Sequence, residues 1–372
     1  MRKLNDQQAH WWLADIGDYL KVIANGMVML QPIIALTVKM PLAANDQRIL
    51  ASLYNLVKFT SPAFIFGIVF TVIRQSDGRK NLKMPDYARD QWANNFWPTL
   101  IWTVIYLLVM PNLQQREHYH NIATFCWQVV SGNAAPHLWY SVMMLQFLII
   151  MPVIKWTTNY VGHNRQRLIA VWLIVTGIYG CWLWFYDQYV FNGPQANHWY
   201  LLNRLFISFL IFGFYGGLAW NFHKEIQRWL YYGWWAVVMV YVGTYLWTRQ
   251  QFFAFHDLTN LVDDTYYRPS MAIYALAVIA LIYMICIVQK VYQMKRSLKT
   301  IHFLAFYAYR AFLANVFWDR ILWGLFLYKI ASRWLLPGIF ATWVCTWLCS
   351  YLSVYLLHQL WLVLINKIRL TC

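Results

Sequence analysis

Charged residues are scarce in this chain of 372 residues. Asp, Glu, Lys and Arg together make up 12% of it, whereas 60% of the residues are hydrophobic. A soluble protein of this length needs far more charge to cover its surface. The chain instead carries repeated apolar stretches of about 20 residues, the length that crosses the hydrocarbon core of a bilayer. The composition excludes an ordinary soluble protein and predicts an integral-membrane protein surrounded by lipid.

Cysteine motifs and the common local catalytic motifs are missing as well. Most of the six Cys residues lie inside apolar runs, and no CxxC spacing occurs. They are typical of small core residues rather than metal ligands or a disulfide framework. The sequence also lacks a glycine-rich phosphate loop, a GxSxG elbow and an HExxH motif. We therefore expect neither a metal site nor a tightly bound cofactor.

The net charge of +16 does not indicate a nucleic-acid partner. The 30 Lys and Arg residues are scattered over short loops, and no basic domain is present to hold a duplex. Trp and Tyr are concentrated at the ends of the apolar runs instead, as in an interfacial belt. Residues 1–18 contain no small-residue cleavage site, so the first membrane helix is expected to act as the targeting signal.

Apolar runs and the polar segments between them predict an all-α polytopic protein with about ten transmembrane helices. Barrel strands are excluded because no alternating apolar pattern occurs. No long linker or internal repeat divides the chain, so residues 1–372 are expected to form a single integral-membrane domain. The predicted spans are 19–38, 52–73, 93–110, 137–155, 168–186, 200–220, 229–248, 269–289, 311–329 and 335–358.

The distribution of basic residues between alternate loops predicts the orientation. With both termini in the cytoplasm, the cytoplasmic segments hold 19 Lys and Arg residues and the outer segments hold 7. This asymmetry favours cytoplasmic termini in a cell (plasma) membrane. The ninth span is the least regular, because Asp319 and Arg320 lie within it and equally fit a short interfacial helix.

Three segments resemble the acyltransferase type 3 family of multi-pass membrane proteins. NLVKFTSPAFIFGIVF at 55–70 is similar to that family's second helix, with Pro62 and Phe64 as structural positions of its motif. PHLWYSVMMLQFLIIMPVI at 136–154 resembles the HLWFL-type start of its fourth helix. FISFLIFGFYGGLAW at 206–220 resembles its Phe-rich, Gly-punctuated sixth helix. The order and spacing of these segments fit a ten-helix plan.

The first helix departs from the pattern of the family that it resembles. Family members carry an Arg near the cytoplasmic end and, about eleven residues later, a His regarded as the general base. The corresponding positions hold Lys21 and then Gln31–Pro32. Neither Gln nor Pro can take a proton from a hydroxyl group. Lys21 keeps the positive charge without the planar fork of a guanidinium group.

Two further segments also depart from the pattern. In place of an Arg-x-x-Arg pair the chain has Gln91 and Asn94. Lys80, Lys83 and Arg89 can substitute by charge alone for donor binding, or act only as ordinary positive-inside residues. Where the family has a Tyr-Leu-x-His-Pro stretch, this chain has Trp318, Asp319 and Arg320. A charge at mid-membrane is costly, so the Asp319–Arg320 pair should face the bundle, a cavity or the interface.

His137 is the motif residue through which the resemblance implies catalysis. The resemblance makes His137 the surviving candidate base, Lys21 and Arg204 fixed charges, and Trp139 and Tyr140 a surface for stacking against a sugar acceptor. We expect Lys21, His137 and Arg204 to converge on one cavity. The alternative is that His137 is a polar residue at the membrane interface and that Arg204 only extends towards it.

Three functions follow from these observations. The resemblance implies transfer of an acyl group from acyl-CoA to a hydroxyl of a cell-envelope or secreted polysaccharide, with a polysaccharide or glycolipid as acceptor. The missing motif residues equally fit a catalytically inactive relative that serves as a membrane partner or scaffold beside envelope-assembly proteins. A small-solute transporter is less favoured, because no Gly/Pro-broken helices at corresponding positions indicate an inverted repeat.

Overall fold

Helices form all the regular structure of the part of the chain that is described. The computed structural model describes residues 14–78, 89–191, 193–196, 198–255 and 257–371, without the side chains of residues 78 and 365–371. The α-helices are α1 (Ile16–Val28), α2 (Leu30–Thr37), α3 (Ala44–Leu56), α4 (Thr60–Gly78), α5 (Trp97–Val109), α6 (Ile122–Ser131), α7 (Leu138–Val161), α8 (Arg165–Tyr186), α9 (Leu210–Asn221), α10 (His223–Tyr232), α11 (Trp234–Phe253), α12 (Pro269–Val291), α13 (Lys295–Leu322), α14 (Tyr328–Arg333) and α15 (Leu335–Thr371).

Tighter and wider helical turns extend or join these helices. Three π-helical segments lie at the ends of α-helices: Trp92–Phe96, Asp187–Phe191 and Trp323–Leu327. Short 3₁₀ segments lie in the connections: Pro111–Leu113, Tyr200–Arg204, Phe206–Phe209 and Leu261–Asp263. An all-α fold is therefore confirmed for the described residues.

Within the described residues, six helical stretches are long and apolar enough to cross a membrane. They are Ile16–Thr37, Ala44–Asp77, Leu138–Val161, Arg165–Phe191, Pro269–Val291 and Leu335–Leu364. The membrane character of the chain is thereby supported, since lipid requires backbone polar groups to be satisfied within each segment. Every predicted span overlaps a helix, but the count of ten crossings and the cytoplasmic position of the termini stay predictions.

Several predicted spans are interrupted. The first is divided at Met29 between α1 and α2, and the second at residues 57–59 between α3 and α4. The sixth predicted span, 200–220, is α-helical only from Leu210, since the preceding residues form 3₁₀ turns. We predicted Arg204 one turn inside a transmembrane helix. It lies instead in a 3₁₀ segment.

The bundle is built around α4. Both α1 and α9 pack along α4, and α13 packs against α1 on one side and α15 on the other. Small residues permit the closest approaches: the Leu20 side chain lies against Gly67, and the backbone of Phe66 lies against Gly216. The main core is formed by buried side chains of α1, α4, α7, α9, α12 and α13. This packing brings the two interrupted helix pairs beside the start of α7.

Candidate functional site

A cavity of about 190 Å³ lies where α7 begins, beside the two helix breaks. It is lined by residues from five parts of the chain: Val28, Gln31, Pro32, Ala35, Tyr54, Lys58, Ser61, Phe64, Pro136, His137, Trp139, Tyr140, Tyr266, Phe312, Asn315 and Val316. Aromatic rings predominate, and a few polar groups converge among them. Pockets of this composition are typical of small-molecule sites in proteins.

His137 is held in the cavity wall by a hydrogen bond to α13. It precedes the first residue of α7 and is 8% exposed. Its Nε2 atom lies 3.3 Å from the carbonyl oxygen of Leu313. A carbonyl only accepts, so Nε2 carries the proton and Nδ1 keeps a free lone pair. Nδ1 is buried without a hydrogen-bond partner.

The hydroxyl group of Tyr106 fixes the position of that carbonyl. Tyr106 donates to the Leu313 carbonyl over 2.9 Å and accepts from the Phe317 N–H over 2.9 Å. In a regular helix Phe317 donates to Leu313 directly, so the hydroxyl is inserted beside one turn of α13. The imidazole also packs edge-on against Tyr106 and Phe312, each with centroids 5.2 Å apart. The orientation of His137 therefore depends on α5 as well as α13.

Gln31 lies in the opposite wall of the cavity, at the position where the resemblance expects a base. Its amide Nε2 donates to the Val57 carbonyl over 3.0 Å and to the Thr60 hydroxyl over 2.9 Å. Tyr274 donates to the Leu56 carbonyl over 2.6 Å. Backbone carbonyls freed at the α3–α4 break are thus satisfied by side chains, as helix interruptions in lipid require. Gln31 is a structural donor here.

Pro62 and Phe64 are buried in the first turns of α4. Pro62 has no N–H to offer the Lys58 carbonyl four residues earlier, which favours a break at that point. Phe64 lines the cavity, where its ring lies 5.7 Å from that of Tyr140 and 6.0 Å from that of Phe312. Both residues therefore shape the cavity from the α4 side.

Trp139 and Tyr140 both line the cavity next to His137. The ring of Trp139 is 6.0 Å from that of Tyr266, which comes from the loop before α12. The hydroxyl group of Tyr140 is buried and has no hydrogen-bond partner, and the same is true of the Asn315 side-chain oxygen. Buried polar atoms without partners carry a desolvation cost that a ligand can relieve. The Tyr140 and Asn315 atoms are therefore free to bond with a molecule that enters the cavity.

Lys58 is the cavity residue that sequence reasoning missed. It lies in the turn between α3 and α4 and is 6% exposed. Its side chain lies between two aromatic rings, 4.5 Å from the centroid of Tyr54 and 4.8 Å from that of Tyr266. The signal available in the sequence was a lysine inside an otherwise apolar run, four residues before Pro62.

Lys21 belongs to a different cluster. Ten residues separate it from Gln31, a rise of about 15 Å along a helix. Its ammonium group lies 3.5 Å from Asp18, whose other oxygen is 2.8 Å from His302 Nδ1. Arg74 pairs with the neighbouring Asp15 over 2.8 Å. The expected convergence with His137 is not seen, since Lys21 does not line the cavity.

Arg204 is buried but also does not line the cavity. Its guanidinium group donates to the carbonyl of Ser131 and, over 3.0 Å, to the side chain of Gln115. Its own carbonyl accepts from Gln146 over 2.8 Å. These bonds tie the 3₁₀ segment to the end of α6 and to α7. The role that the structure supports for Arg204 is structural.

The proposed donor-binding residues are only partly described. Lys80 and Lys83 lie outside the described residues, and Arg89 is exposed at the start of the following helical segment. Asp319 is fully buried in the bundle, whereas Arg320 is partly buried. Over the described ranges, no group of three His, Cys, Asp or Glu side chains is arranged to hold a metal ion.

Comparison with known proteins identifies no relative of this chain. No protein-family model, no curated protein and no solved structure matches it.

Proposed function

We propose that this chain is a membrane-bound O-acyltransferase that moves an acyl group from an acyl-CoA donor to a hydroxyl of a cell-envelope or secreted polysaccharide. The observation that carries the proposal is the state of His137. Its Nε2–H is held by the Leu313 carbonyl, and its unpartnered Nδ1 belongs to a cavity-lining side chain. A neutral imidazole with a free lone pair meets one requirement of a general base.

The reaction requires one proton to move twice. As the acceptor hydroxyl attacks the thioester carbonyl, its proton passes to His137 Nδ1 and a C–O bond forms. The C–S bond then breaks, and the imidazolium returns the proton to the CoA thiolate. The free O–H of Tyr140 can donate to the oxyanion that develops between these steps. Trp139 and Tyr266 offer aromatic faces for the acceptor sugar.

The position of Gln31 agrees with the family resemblance. Gln31 and Pro32 line the same cavity as His137 and Phe64, so positions from the first, second and fourth predicted spans converge there. In this proposal His137 acts as base in place of the His that the family carries in its first helix. The tethered amide of Gln31 holds the α3–α4 break and takes no part in proton transfer.

A second function is favoured by the same replacement. A non-catalytic relative would keep the helical bundle and its cavity but not the His of the first helix. This chain has Gln31 in place of that His. Lys21 and Arg204 are both engaged in contacts away from the cavity. The alternative is a membrane partner in polysaccharide assembly or export that binds a glycan without modifying it.

The acyl content of surface glycans distinguishes the two functions. It is measured in isogenic strains with the intact protein, with a deletion, and with His137→Ala at equal membrane abundance. The enzyme proposal expects acyl groups to be lost in both the deletion and the His137→Ala strain. Lys39→Ala, an exposed position outside the cavity, serves as the control and should retain them.

The other possible results also distinguish the enzyme from the non-catalytic alternative. If acyl content is unchanged in the deletion strain, the enzyme proposal is wrong. If the deletion removes acyl groups or the glycan itself while His137→Ala retains full acylation, the non-catalytic alternative is favoured.

A further inference from the structure

We propose that Lys58, together with Tyr54 and Tyr266, forms a subsite for a singly charged anionic group on the molecule that enters the cavity. This inference deepens the proposed function, because it assigns a charge to the substrate. It rests on that function only in treating the bound molecule as a substrate.

The ammonium group of Lys58 is buried and forms no ion pair with a described carboxylate. The ion pairs of the described residues are Asp15–Arg74, Asp18–Lys21 and Asp18–His302. No carboxylate of the described chain lies within 4 Å of Lys58 Nζ. Withdrawing an ammonium group from water is energetically costly unless an anion pairs with it. Lys58 lacks that pairing in the absence of a ligand.

The two tyrosines compensate Lys58 only in part. Nζ donates to the Tyr54 hydroxyl over 3.2 Å, and the rings of Tyr54 and Tyr266 provide cation–π contact. Such contacts stabilise a desolvated cation. An ammonium group has three N–H donors, and Tyr54 is the only hydrogen-bond acceptor that the described side chains offer it. Two donors are left for a ligand.

Asp264 is an acidic group that interacts electrostatically with Lys58, although no ion pair joins the two. It lies buried in the loop before α12, and one of its carboxylate oxygens has no hydrogen-bond partner. Burial raises the pKa of the Asp264 carboxyl to about 6, while Lys58 and then Arg268 oppose that rise. Asp264 forms no ion pair with Lys58, so the positive charge of Lys58 is available to a ligand anion.

The donors around Lys58 define the chemistry of the ligand. Tyr54 and Tyr266 line the cavity, and Ser61 donates to the Tyr266 hydroxyl over 3.3 Å. One ammonium and two phenols suit an anion of charge −1. A phosphate monoester carries about −1.5 to −2 and is usually held by Arg forks or several cations. A carboxylate and a phosphodiester are two biological groups that carry this charge.

Lys58 and His137 line the same cavity from α3–α4 and α7 respectively. An anion held by Lys58 would therefore belong to the molecule presented to His137. The anionic group would orient that molecule relative to the proton acceptor, as bound charges do in pre-organised sites. Lys58 is therefore a positioning residue, and its contribution is measured directly as the affinity for the ligand.

Ligand-induced stabilisation of the purified full chain tests the subsite. The unfolding midpoint in detergent is followed by tryptophan fluorescence while monomethyl succinate, dimethyl phosphate or the neutral dimethyl succinate is titrated at constant ionic strength. We expect at least one of the two anions to raise the midpoint saturably, and the neutral diester to leave it unchanged. Lys58→Gln should weaken the apparent affinity at least tenfold, whereas Lys58→Arg and the exposed Lys39→Gln should keep it.

The two anions separate the possible sources of the charge. A response to monomethyl succinate alone assigns a carboxylate, and a response to dimethyl phosphate alone assigns a phosphodiester. If neither anion binds the wild-type chain, or if Lys58→Gln binds them equally well, the subsite does not exist. Should Lys58→Gln fail to fold, Tyr266→Phe takes its place and should weaken binding. Lys58-dependent binding without any glycan acylation would leave the subsite intact and contradict the acyltransferase proposal alone.

Discussion

At the scale of single residues, the chemistry of the cavity depends on one backbone carbonyl. The Leu313 carbonyl accepts from both Tyr106 and His137, and it thereby assigns the proton of the imidazole to Nε2. Without that bond, either nitrogen of His137 could carry the proton. A side chain on α5 thus contributes to the state of a side chain at the start of α7.

Tyr106→Phe removes the inserted hydroxyl while keeping the ring. The Phe317 N–H loses its acceptor over 2.9 Å, so we expect a loss of about 1–3 kcal/mol in stability, the usual cost of an unsatisfied buried group. Glycan acylation should fall more than the amount of folded protein falls, because His137 is no longer oriented. Tyr355→Phe, a partly exposed ring on α15, is the control. Unchanged acylation in Tyr106→Phe would contradict the positioning role.

Arg204→Met tests whether that residue is structural. The change leaves the Ser131 carbonyl and the Gln115 side-chain oxygen without their donor, and charged hydrogen bonds of this kind contribute about 1.5–3 kcal/mol each. We expect a lower unfolding midpoint and lower membrane abundance, with acyl transfer per folded molecule within twofold of wild type. Arg116→Gln, an exposed arginine over the Tyr200 ring, should alter neither. If a stably folded Arg204→Met variant loses specific activity, Arg204 has a catalytic role instead.

Residue roles were only partly predictable from the sequence. The motif at 136–140 identified His137, Trp139 and Tyr140 as cavity residues, because they are adjacent in the chain. Lys21, at the position of the family's first-helix Arg, and Arg204 were assigned to the same place as fixed charges. Their partners, Asp18 in one case and Ser131 with Gln115 in the other, come from tertiary packing that no local pattern reports.

At the scale of elements, the helix breaks form the cavity. The α1–α2 and α3–α4 junctions lie beside each other, and Gln31 joins them through Val57 and Thr60. The apolar runs predicted continuous spans here, since hydropathy does not change across a one-residue or three-residue break. A proline disfavours a continuous helix, and the break lies just before Pro62. The approximate place of the break was therefore predictable, whereas its effect on Lys58 was not.

The loop between α11 and α12 places Tyr266 over the cavity and buries Asp264. Because the folded-state pKa of Asp264 is raised to about 6, above its usual 3.8, the folded protein binds the proton more tightly than the unfolded chain. Stability should therefore fall as pH rises from about 4 to about 6, by up to about 3 kcal/mol, and then stay level.

Asp264→Asn should remove that slope. The unfolding midpoint measured between pH 4.5 and 7 checks this, with Asp257→Asn as the control on the same loop. The Asp257 side chain is exposed and its pKa is lowered by hydrogen bonds to Thr259, so its own contribution lies at lower pH. A slope that persists in Asp264→Asn would assign the titration to another group.

At the scale of the whole molecule, the order of helices follows the predicted order of spans. Six stretches satisfy the length and hydropathy of a membrane crossing; the other predicted spans correspond to shorter or more polar helices such as α5 and α9. Long apolar runs were predictable because a bilayer constrains length and polarity together. The number of crossings depends on how the shorter helices lie in the bilayer.

Cysteine labelling of intact cells tests the ten-crossing topology. Both termini are predicted to be cytoplasmic, so a cysteine at residue 164 should be protected from an impermeant thiol reagent in intact cells, and one at residue 118 should react. Both positions are exposed, and native Cys126 and Cys181 are exposed as well, so they are first replaced by Ser. Reaction at both positions, or the reverse pattern, would contradict the orientation.

The central claim is that His137 accepts the proton in acyl transfer. Its most direct test is the rate of free-thiol release from a panel of acyl-CoA donors by the purified protein in liposomes, with surface glycan as acceptor, for wild type and His137→Gln. The Gln variant keeps a donor towards Leu313 but offers no basic nitrogen. The account predicts acceptor-dependent thiol release by the wild type and a loss of about 10²–10⁴-fold in His137→Gln. Equal rates for the two proteins would contradict it.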